Sequence, residues 1–587
     1  MIIKPSYKAI LQSVRFNKIK VFLIFSLDLI QVFCESGLLA STYLLLGYIQ
    51  NNIILTDTES VPYAKQITNL LENIGLTTDI ISFLILMLFF TFVQSLCKYF
   101  GQLNIQKLGA WIHEKTTQDI SNVLFNSNYE KLISLRSGKL LSIGFESPEA
   151  IKSQLEIIAC SIISILLLGI YSQILISLSI REFTICLASL LLIGSIQIFT
   201  SKRVKSKAVK TSIAKAEVNN ILSEIIKGIK YIKASGSNFF VKERLNKNLS
   251  KFKNNLIKES IFFEITAPLS KLLGTIIIAF IVYIFSRSEI NPSVLLPTIG
   301  VFIVTLQRLI GKISELAQLN NAYNMNKGRV NLYNDLIQNS TSKQGNYSKK
   351  AKNKFFKNKN YNLYNLKFKN IFYRFESNKV WILNNLSFNV NQGTIVGLVG
   401  RSGAGKSTIL NLISGLIKPS KGEILINSEK ILIDDFFSQN YISLVSQESY
   451  IIHGTILENI VWDQKHNRKR VLQCLEKIDK IDFINNLENG VDTIIGEGGM
   501  SISGGQIQII CIARAIYKDS SILILDEATN ALDQRSEDNV MDLIKEISKN
   551  KIVFMVTHNI KNHKISDEIY LLEDGILRFQ KDYKTLN

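Results

Sequence analysis

Six long apolar segments in the first 322 residues constrain the fold more than any other feature of this sequence. A helix needs about 20 residues to cross a bilayer, and each segment reaches or approaches that length. Backbone polar groups cannot stay unpaired in hydrocarbon, so segments of this kind must be helical. The sequence therefore predicts an all-α polytopic membrane domain over residues 1–337. The six predicted membrane helices lie near 20–48, 77–100, 154–178, 182–200, 262–286 and 295–322.

Positive charge gathers beside these segments and predicts their orientation. The chain of 587 residues carries a formal net charge of +20, although 47% of its residues are hydrophobic. The N-terminus and the connections 98–154 and 201–261 are rich in Lys and Arg, whereas the connection 51–78 holds only Lys65. By the positive-inside rule, both chain termini are expected in the cytoplasm. The same clustering favours membrane-flanking loops over a nucleic-acid partner.

The connections between the apolar segments differ in their patterning. Apolar residues recur at helical spacing in the second basic connection, at Ile221, Ile225, Ile229 and Ile232. This periodicity predicts that the basic connections are helical extensions with packing surfaces, rather than solvated loops. The stretch 338–360 lacks such periodicity and is rich in Lys, Asn and Ser. It is predicted to be a linker between two domains.

Two pairs of ionisable residues lie within the first and sixth apolar segments. Asp28 and Glu35 are seven residues apart on the first segment, and Arg308 and Lys312 are four apart on the sixth. These spacings place each pair on one face of its helix, and Glu35 and Arg308 lie near the same depth. One hypothesis is that Arg308 and Lys312 line a translocation cavity, with Glu35 as a partner. The alternative is a structural ion pair, or side chains that extend to the membrane surface.

A glycine-rich turn in the second half of the chain indicates a phosphate-binding site. The apolar run 394–399 predicts a buried strand, and 409–413 has helical spacing. Glycine allows backbone N–H groups to close around a polyphosphate, and the N-terminus of the following helix favours negative charge. Lys406 is expected to reach the β- and γ-phosphates, and the Ser407 hydroxyl to bind Mg²⁺. The residues expected to contact the nucleotide here are Gly400, Ser402, Gly403, Gly405, Lys406, Ser407 and Thr408.

A second motif supplies the carboxylates that phosphoryl chemistry needs. Four consecutive apolar residues at 522–525 are followed by Asp526 and Glu527. The run predicts a buried strand that delivers Asp526 to Mg²⁺ and places Glu527 to orient or deprotonate an attacking water. An acidic pair at a helix start is a common alternative, but it does not account for the phosphate loop upstream. Short β-type runs alternate with helical stretches from 361 onward, which predicts an α/β P-loop nucleotide-binding domain over 361–587.

Between the two motifs lies the sequence ISGGQ at 502–506, followed by IARA at 512–515. With this ordered set, the chain resembles the ATP-binding cassette (ABC) transporters. It is most similar in organisation to half-size exporters, including those that flip lipids or lipid-linked oligosaccharides, in which six membrane helices precede one cassette. The resemblance spans essentially the whole chain. A plain helix cap is the simpler interpretation of the Ser-Gly-Gly turn alone, but it does not explain the ordered set.

The resemblance implies further roles. Gln447 matches a glutamine that senses Mg²⁺, and His558 matches a histidine that contacts the γ-phosphate. Glu497 matches an exporter segment that touches the partner's intracellular loops, and 531–533 matches the loop at the contact between two cassettes. The implied catalytic residues are Glu527, His558 and Gln447, and the implied metal ligands are Ser407, Gln447 and Asp526.

One aromatic position and several departures from the family pattern complete the comparison. Phe375, twenty-five residues before the phosphate loop, takes the place of a ring that stacks on adenine, with Tyr373 as the competing choice. The family usually has Tyr there. The other departures are Ile502, Ile507, Ile509 and Asn530. None of them removes a phosphate or metal ligand, but Ile507 and Ile509 leave the turnover rate open.

The resemblance also implies a dimer, because one chain has one cassette. The cofactors are then ATP and Mg²⁺, held by one cassette and capped by the signature turn of the other. A second identical half-transporter is the simplest partner, and a homologous one is the alternative. The residues implied to form the cap are Ser503, Gly504, Gly505 and Gln506.

The implied function is an ATP-driven exporter or flippase that works by alternating access. Its substrate would be a lipid, a lipid-linked glycan or another amphipathic molecule taken from the cytoplasmic side, with a peptide or hydrophobic compound as the alternative. An ATP-gated channel or a regulatory ABC protein is the competing class, and the complete catalytic set favours a pump. The resemblance places the chain in membrane lipid, in the inner or plasma membrane of a bacterium.

Overall fold

Two compact units make up the chain in its computed structural model. The first comprises Met1–Ser127 and Leu132–Lys343, and the second comprises Asn128–Lys131 and Gln344–Asn587. Most of the predicted linker at 338–360 lies outside the described residues, so the domain boundaries stay a prediction. The structure describes residues 4–51, 64–74, 79–127, 129–134, 137–285, 292–341, 363–375, 380–427, 429–430, 441–497, 499–500, 502–557 and 559–580.

Helices account for nearly all the described residues before position 342, as the apolar sequence predicts. Several are much longer than a bilayer is thick, because they continue from the apolar segments into the basic connections. They are α1 Pro5–Phe16, α2 Lys18–Asn51, α3 Ala64–Ile74, α4 Ile80–Asn126, α5 Tyr129–Ser134, α6 Ser137–Leu178, α7 Ile180–Ala234, α8 Asn238–Glu264, α9 Thr266–Phe285 and α10 Pro292–Thr341.

Four of the six predicted membrane helices are confirmed by length and apolar composition. The predicted segments at 182–200 and 295–322 lie within α7 and α10 and stay predictions as membrane spans. Among the described residues, the stretches long and apolar enough to cross a membrane are Lys18–Gln50, Ile80–Asn126, Lys139–Leu178 and Asn238–Phe285.

The basic connections are helical, as predicted. The second one is formed by the end of α7 and by α8, which meet at a short turn after Ala234. Its predicted packing face is only partly covered: Ile221 is buried, Ile225 and Ile232 are half-buried, and Ile229 is exposed. The periodic face therefore packs mainly where α7 leaves the bundle.

A hydrophobic core joins five of these helices, while outward faces stay apolar. Leu88 and Phe92 on α4 are among the exposed side chains. Apolar side chains that face out of a helical bundle suit lipid better than water. The core contains Leu39 of α2, Tyr171 of α6, Ile193 of α7, Ile281 of α9 and Leu306 of α10.

A parallel sheet organises the second unit. Its central strands β3 Ile395–Val399, β9 Ile522–Asp526 and β10 Ile552–Val556 are apolar and almost wholly buried, as expected for strands covered on both faces. Strand β10 pairs in parallel with β3 on one side and with β9 on the other, where Val556 lies opposite Asp526. All three strands therefore end at one edge of the sheet.

The other elements complete the predicted α/β fold. The helices are α11 Lys406–Ile413, α12 Ile456–Val461, α13 Arg468–Lys477, α14 Ile481–Asn485, α15 Gly504–Lys518 and α16 Gln534–Ser548, with 3₁₀ turns at Gly490–Asp492 and Ile560–Ile565. The remaining strands are β1 Asn365–Tyr373, β2 Leu383–Asn391, β4 Lys421–Ile426, β5 Glu429–Lys430, β6 Ile442–Val445, β7 Gly454–Thr455, β8 Ile494–Ile495, β11 Glu568–Glu573 and β12 Ile576–Gln580. The main sheet has the order β12-β11-β3-β10-β9-β6, and an antiparallel sheet has the order β2-β1-β4-β5.

A buried histidine packs against the strand that precedes the phosphate loop. His563 is 1% exposed, and a Cβ atom built on Gly397 of β3 would lie 2.5 Å from its Nδ1. Burial lowers the pKa of His563, and the nearby Thr557 backbone opposes the shift. The imidazole is therefore held in its neutral form in the folded protein.

Acid is expected to destabilise the second unit through this residue. An unfolded histidine titrates near pH 6.5 and the folded pKa of His563 lies lower, so the unfolded chain binds the proton first as the pH falls. Stability is therefore fullest above the unfolded pKa and declines as the pH falls below about 6.5. His563→Leu should flatten this decline in the unfolding temperature, followed by tryptophan fluorescence, because Trp381 and Trp462 lie in the second unit.

The matched control is an exposed histidine. His466→Leu should keep the wild-type dependence on pH, because the His466 side chain is exposed and its replacement changes no buried group. Equal slopes for the wild type and His563→Leu would contradict the prediction.

Candidate functional site

The phosphate loop joins β3 to α11 through backbone conformations that require glycine. Gly403 has φ +82° and Gly405 has φ +108°, which residues with a Cβ rarely adopt. A Cβ atom on Gly400 would lie 2.6 Å from the backbone oxygen of Leu572. Ser402 is exposed at the tip of the loop. Larger residues at the three glycines would strain or displace the loop, so the local sequence dictates its shape.

Lys406 lies beside the loop backbone. Its Nζ donates to the backbone oxygens of Gly400, at 2.7 Å, and Arg401, at 3.1 Å. Lys406 also opens α11, and the exposed Ser407 and half-buried Thr408 follow in its first turn. The first N–H groups of a helix have no partner within it and favour an anion. The ammonium and these N–H groups therefore form one anion-binding surface.

Asp526 reaches the same edge of the sheet from β9. It is the last residue of the strand and is half-buried. Burial raises the pKa of its carboxyl, the charge of Glu527 raises it further, and Lys406 opposes the rise. Lys406 follows β3, whereas Asp526 ends β9. Because the Lys406 charge acts on the Asp526 carboxyl, the phosphate loop and the acidic pair share one electrostatic environment.

Glu527 has a strained backbone and an oriented side chain. Its φ is +52°, in the left-handed region, and its backbone N–H donates to the Val556 oxygen at 2.9 Å. Gln447 Nε2 donates to Glu527 Oε2 at 2.9 Å, and Asn530 Nδ2 donates to the same oxygen at 2.8 Å. The carboxylate is thus held by two amide groups from separate segments.

Asn530 is a site residue that the sequence comparison noted only as a departure from the family pattern. It lies in the turn after β9, and its backbone N–H also donates to the backbone oxygen of Glu527, at 3.4 Å. The signal that could have identified it is its position three residues beyond Glu527, since asparagine in a turn readily bonds to nearby groups. Gln447, which was inferred from the resemblance, does reach the site.

The predicted signature turn caps α15. Ser503 Oγ accepts from the Gln506 N–H at 3.2 Å, and Gln506 Oε1 accepts from the Ser503 N–H at 2.8 Å. The turn is therefore a capping box, while Ser503 and Gly504 stay exposed. A Cβ atom on Gly505 would lie 2.7 Å from the backbone oxygen of Ala531, so glycine is required there.

The isoleucines that depart from the family pattern belong to the hydrophobic core. Ile509 is buried in the core cluster, and Ile507 packs against it. Between them, the buried Gln508 accepts from the Ala531 N–H at 2.9 Å. These contacts fix α15 against the predicted cassette-contact loop at 531–533.

Burial separates the two aromatic residues proposed to stack on adenine. Tyr373 is 1% exposed, and its hydroxyl donates to the Glu130 carboxylate. Phe375 is 42% exposed, with its ring centroid 5.5 Å from that of Tyr373. A base needs an open ring face, so Phe375 is the better candidate.

The structure does not test the roles of two other predicted site residues. Glu497 is exposed in the turn after β8. His558 lies outside the described residues, although Thr557 and Asn559 on either side of it are described. The roles of Glu497 and His558 stay predictions.

The residues predicted to bind Mg²⁺ supply the ligands that this ion prefers. Asp526 offers a carboxylate, Ser407 a hydroxyl and Gln447 an amide oxygen. Gln447 reaches Glu527 through its amide nitrogen, which leaves the amide oxygen for another partner. The donor set therefore fits a hard divalent cation.

A buried carboxylate connects four helices of the membrane domain. Glu35 of α2 is 4% exposed and forms an ion pair with Arg308 of α10. Tyr171 of α6 donates to Glu35 Oε1 at 2.6 Å, and Gln94 of α4 donates to Oε2. The structural ion pair, which the sequence left open beside the cavity hypothesis, is thus formed.

Lys312 is also paired with a carboxylate. Its Nζ lies 2.6 Å from Glu315 Oε2, and Ser164 of α6 donates to Glu315 Oε1 at 3.1 Å. Asp28, on the same helix as Glu35, is buried. Both cations that the sequence proposed for a cavity are therefore balanced, so an anionic substrate group would compete with Glu35 or Glu315.

Two family models match the chain, one for each half. The model of the ABC transporter transmembrane region matches residues 24–310, and the model of the ABC transporter matches 383–530. The ATP-dependent lipid A-core flippase of Salmonella paratyphi A is 28% identical over 484 residues, which cover 82% of this chain and 78% of the relative. The protein of the same name from Escherichia coli (strain K12) is 27% identical over the same shares.

A solved structure shares the fold. It is described as the structure of a bacterial Atm1-family ABC exporter with ATP bound, and it matches with a TM-score of 0.78 over 97% of both chains. At 18% sequence identity this likeness is evidence of fold alone. It confirms the predicted combination of a helical membrane domain and an α/β P-loop domain.

Breaking the Glu35–Arg308 pair is expected to destabilise the membrane domain. Removing one partner of a buried ion pair leaves the other charge uncompensated. Arg308→Met should cost about 1–3 kcal/mol, less than a fully buried pair because the Arg308 side chain is 34% exposed. Glu35→Gln combined with Arg308→Met should be more stable than Arg308→Met alone, measured as thermal unfolding in detergent.

Lys312→Met is the matched control. Lys312 pairs with a residue on its own helix, so its loss should lower the unfolding temperature less than Arg308→Met. If Arg308→Met kept wild-type stability and instead lost substrate-stimulated ATPase activity, the cavity hypothesis would replace the ion-pair interpretation.

Proposed function

The chain belongs to the ABC transporters, in the half-size exporter arrangement, and from this premise we propose that it is an ATP-driven flippase for a lipid or lipid-linked glycan. One observation carries the proposal. The phosphate loop and the pair Asp526 and Glu527 meet at one edge of a parallel sheet, in a chain that also has membrane-spanning helices. ATP hydrolysis and a path across the membrane are thereby joined in one molecule.

The lipid substrate is supported by the relatives rather than by the membrane cations. Relatives named for flipping of lipid A-core are similar to this chain over 82% of its length. Arg308 and Lys312 add no independent support, because each is paired with a carboxylate. By the same relationship, the protein resides in the inner membrane of a bacterium, with both termini in the cytoplasm as the charge pattern predicts.

ATP is held at the edge of the sheet. Lys406 and the N–H groups of the phosphate loop bind the β- and γ-phosphates, and the exposed ring of Phe375 stacks on adenine. Ser407, Gln447 and Asp526 would hold Mg²⁺, which would supply charge neutralisation at the phosphate oxygens.

Glu527 orients and deprotonates the attacking water. Its carboxylate is already held by Gln447 and Asn530 through Oε2, which fixes its orientation. Fixed orientation matters because a general base must lie within hydrogen-bond reach of the proton it accepts. By resemblance, His558 contacts the γ-phosphate.

Two copies of the chain are required to complete each site. The exposed turn at Ser503, Gly504 and Gly505, with Gln506, caps ATP held by the opposite cassette. ATP that contacts both cassettes binds the closed dimer more tightly than the open one and so favours closure. To change a mostly open population to a mostly closed one, two sites need about a hundredfold preference each. Hydrolysis removes that preference, and the cassette dimer reopens. The helical connections transmit this movement to the membrane helices.

Glu527→Gln should bind ATP and hydrolyse it at least about a hundredfold more slowly, because the base is lost while the phosphate loop is intact. Lys406→Ala should lose binding itself. Both are measured in lipid nanodiscs, as phosphate release and as binding of a fluorescent ATP analogue. The exposed Glu546→Gln on α16 should behave as wild type. Brisk steady-state hydrolysis by Glu527→Gln would refute its assigned role.

The substrate class is tested by the lipid composition of the nanodiscs. Lipid A carrying core sugars should raise the maximal ATPase rate several-fold over phosphatidylethanolamine alone, because substrate binding favours the closing conformation. Lys406→Ala nanodiscs give the background. Stimulation by small lipophilic compounds but not by the glycolipid would reassign the substrate, and passive ionic conductance on ATP addition would instead identify a channel.

A further inference from the structure

A buried carboxylate lies next to the nucleotide site without belonging to it. Glu537 is in the first turn of α16 and is 8% exposed. A carboxylate at this depth loses its hydration and must be compensated by hydrogen bonds. The N-terminus of α16 provides part of that compensation, since its dipole favours a negative charge.

Three side chains from two segments donate to Glu537. Thr529 Oγ1 donates to Oε1 at 2.8 Å, and Asn562 Nδ2 donates to the same oxygen at 2.7 Å. Asn559 Nδ2 donates to Oε2 at 3.1 Å. Thr529 follows Glu527 by two residues, whereas Asn559 and Asn562 follow β10. Glu537 therefore connects the segment that carries the catalytic glutamate to the segment that follows β10.

The segment that follows β10 is held by hydrogen bonds on both sides of position 558. Thr557 Oγ1 accepts from the Asn559 N–H at 3.0 Å and from Asn562 Nδ2 at 3.5 Å. Thr529, Thr557 and Asn562 are buried, so these hydrogen bonds are shielded from water. A network of this kind fixes the donors Thr529 and Asn562 as well as the acceptor Glu537.

We propose that Glu537 is a positioning residue for ATP hydrolysis, which holds the segment after Glu527 and the residues Thr557 and Asn559 in place relative to each other. The inference rests on the proposed function of Glu527 and His558. Glu537 does not touch the reacting atoms. It acts because hydrogen bonds to a buried charge are stronger than those between neutral groups, so neither segment can shift without leaving that charge unsatisfied.

Glu537→Gln tests the proposal by changing hydrogen bonding with little change in shape. Glutamine keeps one acceptor oxygen for Thr529 and Asn562 but turns an amide donor toward Asn559. Misplaced catalytic groups slow the chemical step, so kcat should fall about tenfold or more while the KM for ATP stays within about twofold. Asp538→Asn, an exposed acid-to-amide change on the same helix, should keep the wild-type kcat.

A second change should restore the network. In Glu537→Gln combined with Asn559→Asp, the new carboxylate at 559 accepts from the new amide at 537 and still accepts from the Lys561 N–H, as Asn559 does at 3.2 Å. The double variant should recover a large part of the lost kcat, which a merely structural role would not predict. Wild-type kcat in Glu537→Gln, or an equal loss in Asp538→Asn, would overturn the proposal.

Hydrogen exchange separates this inference from the proposed function. In the full-length protein without nucleotide, Glu537→Gln should speed amide exchange in both 527–532 and 557–562, and Asp538→Asn should leave both unchanged. Unchanged exchange in either segment of Glu537→Gln would overturn the connection. If the wild type hydrolysed no ATP, the proposed function would fail, and exchange would still decide whether Glu537 joins the two segments.

Discussion

Parallel pairing of three buried strands is the constraint on which the nucleotide site depends. Because β3, β10 and β9 run side by side in the same direction, their carboxyl ends meet at one edge. The phosphate loop, the acidic pair and the segment after Val556 are thereby brought together from distant parts of the sequence. The pairing also allows the backbone N–H of Glu527 to donate a hydrogen bond to the Val556 oxygen. A shift of one residue in β9 would move every side chain to the opposite face of the sheet and against different neighbours, so packing on both faces fixes the site's register.

The membrane domain obeys a different constraint, which is that charge away from water must be matched. Glu35 meets this condition by taking partners from three other helices, including Arg308 on α10. Helices joined in this way cannot slide independently without exchanging those partners. Conformational change in this domain is therefore expected to proceed by movement of groups of helices rather than of single ones.

The sequence predicts what local chemistry decides, and it fails where distant side chains meet. Glycine spacing and apolar runs were sufficient for the phosphate loop, the strands and the long helices. Periodicity could not choose between Tyr373 and Phe375, because residues two apart share the same parity along a strand; burial distinguishes them. The partners of Glu537 were not predictable, since Asn559 and Asn562 acquire those contacts only after folding.

The left-handed backbone at Glu527 has an evolutionary consequence. Glycine and asparagine adopt that conformation more readily than glutamate, so either replacement would relieve about 1 kcal/mol of local strain while removing the carboxylate proposed as the base. A library screened for thermal robustness alone would therefore drift toward inactive chains at this position. Selection for turnover would instead retain glutamate. At residue 527 the cassette is therefore less thermally stable than a chain with glycine or asparagine there would be.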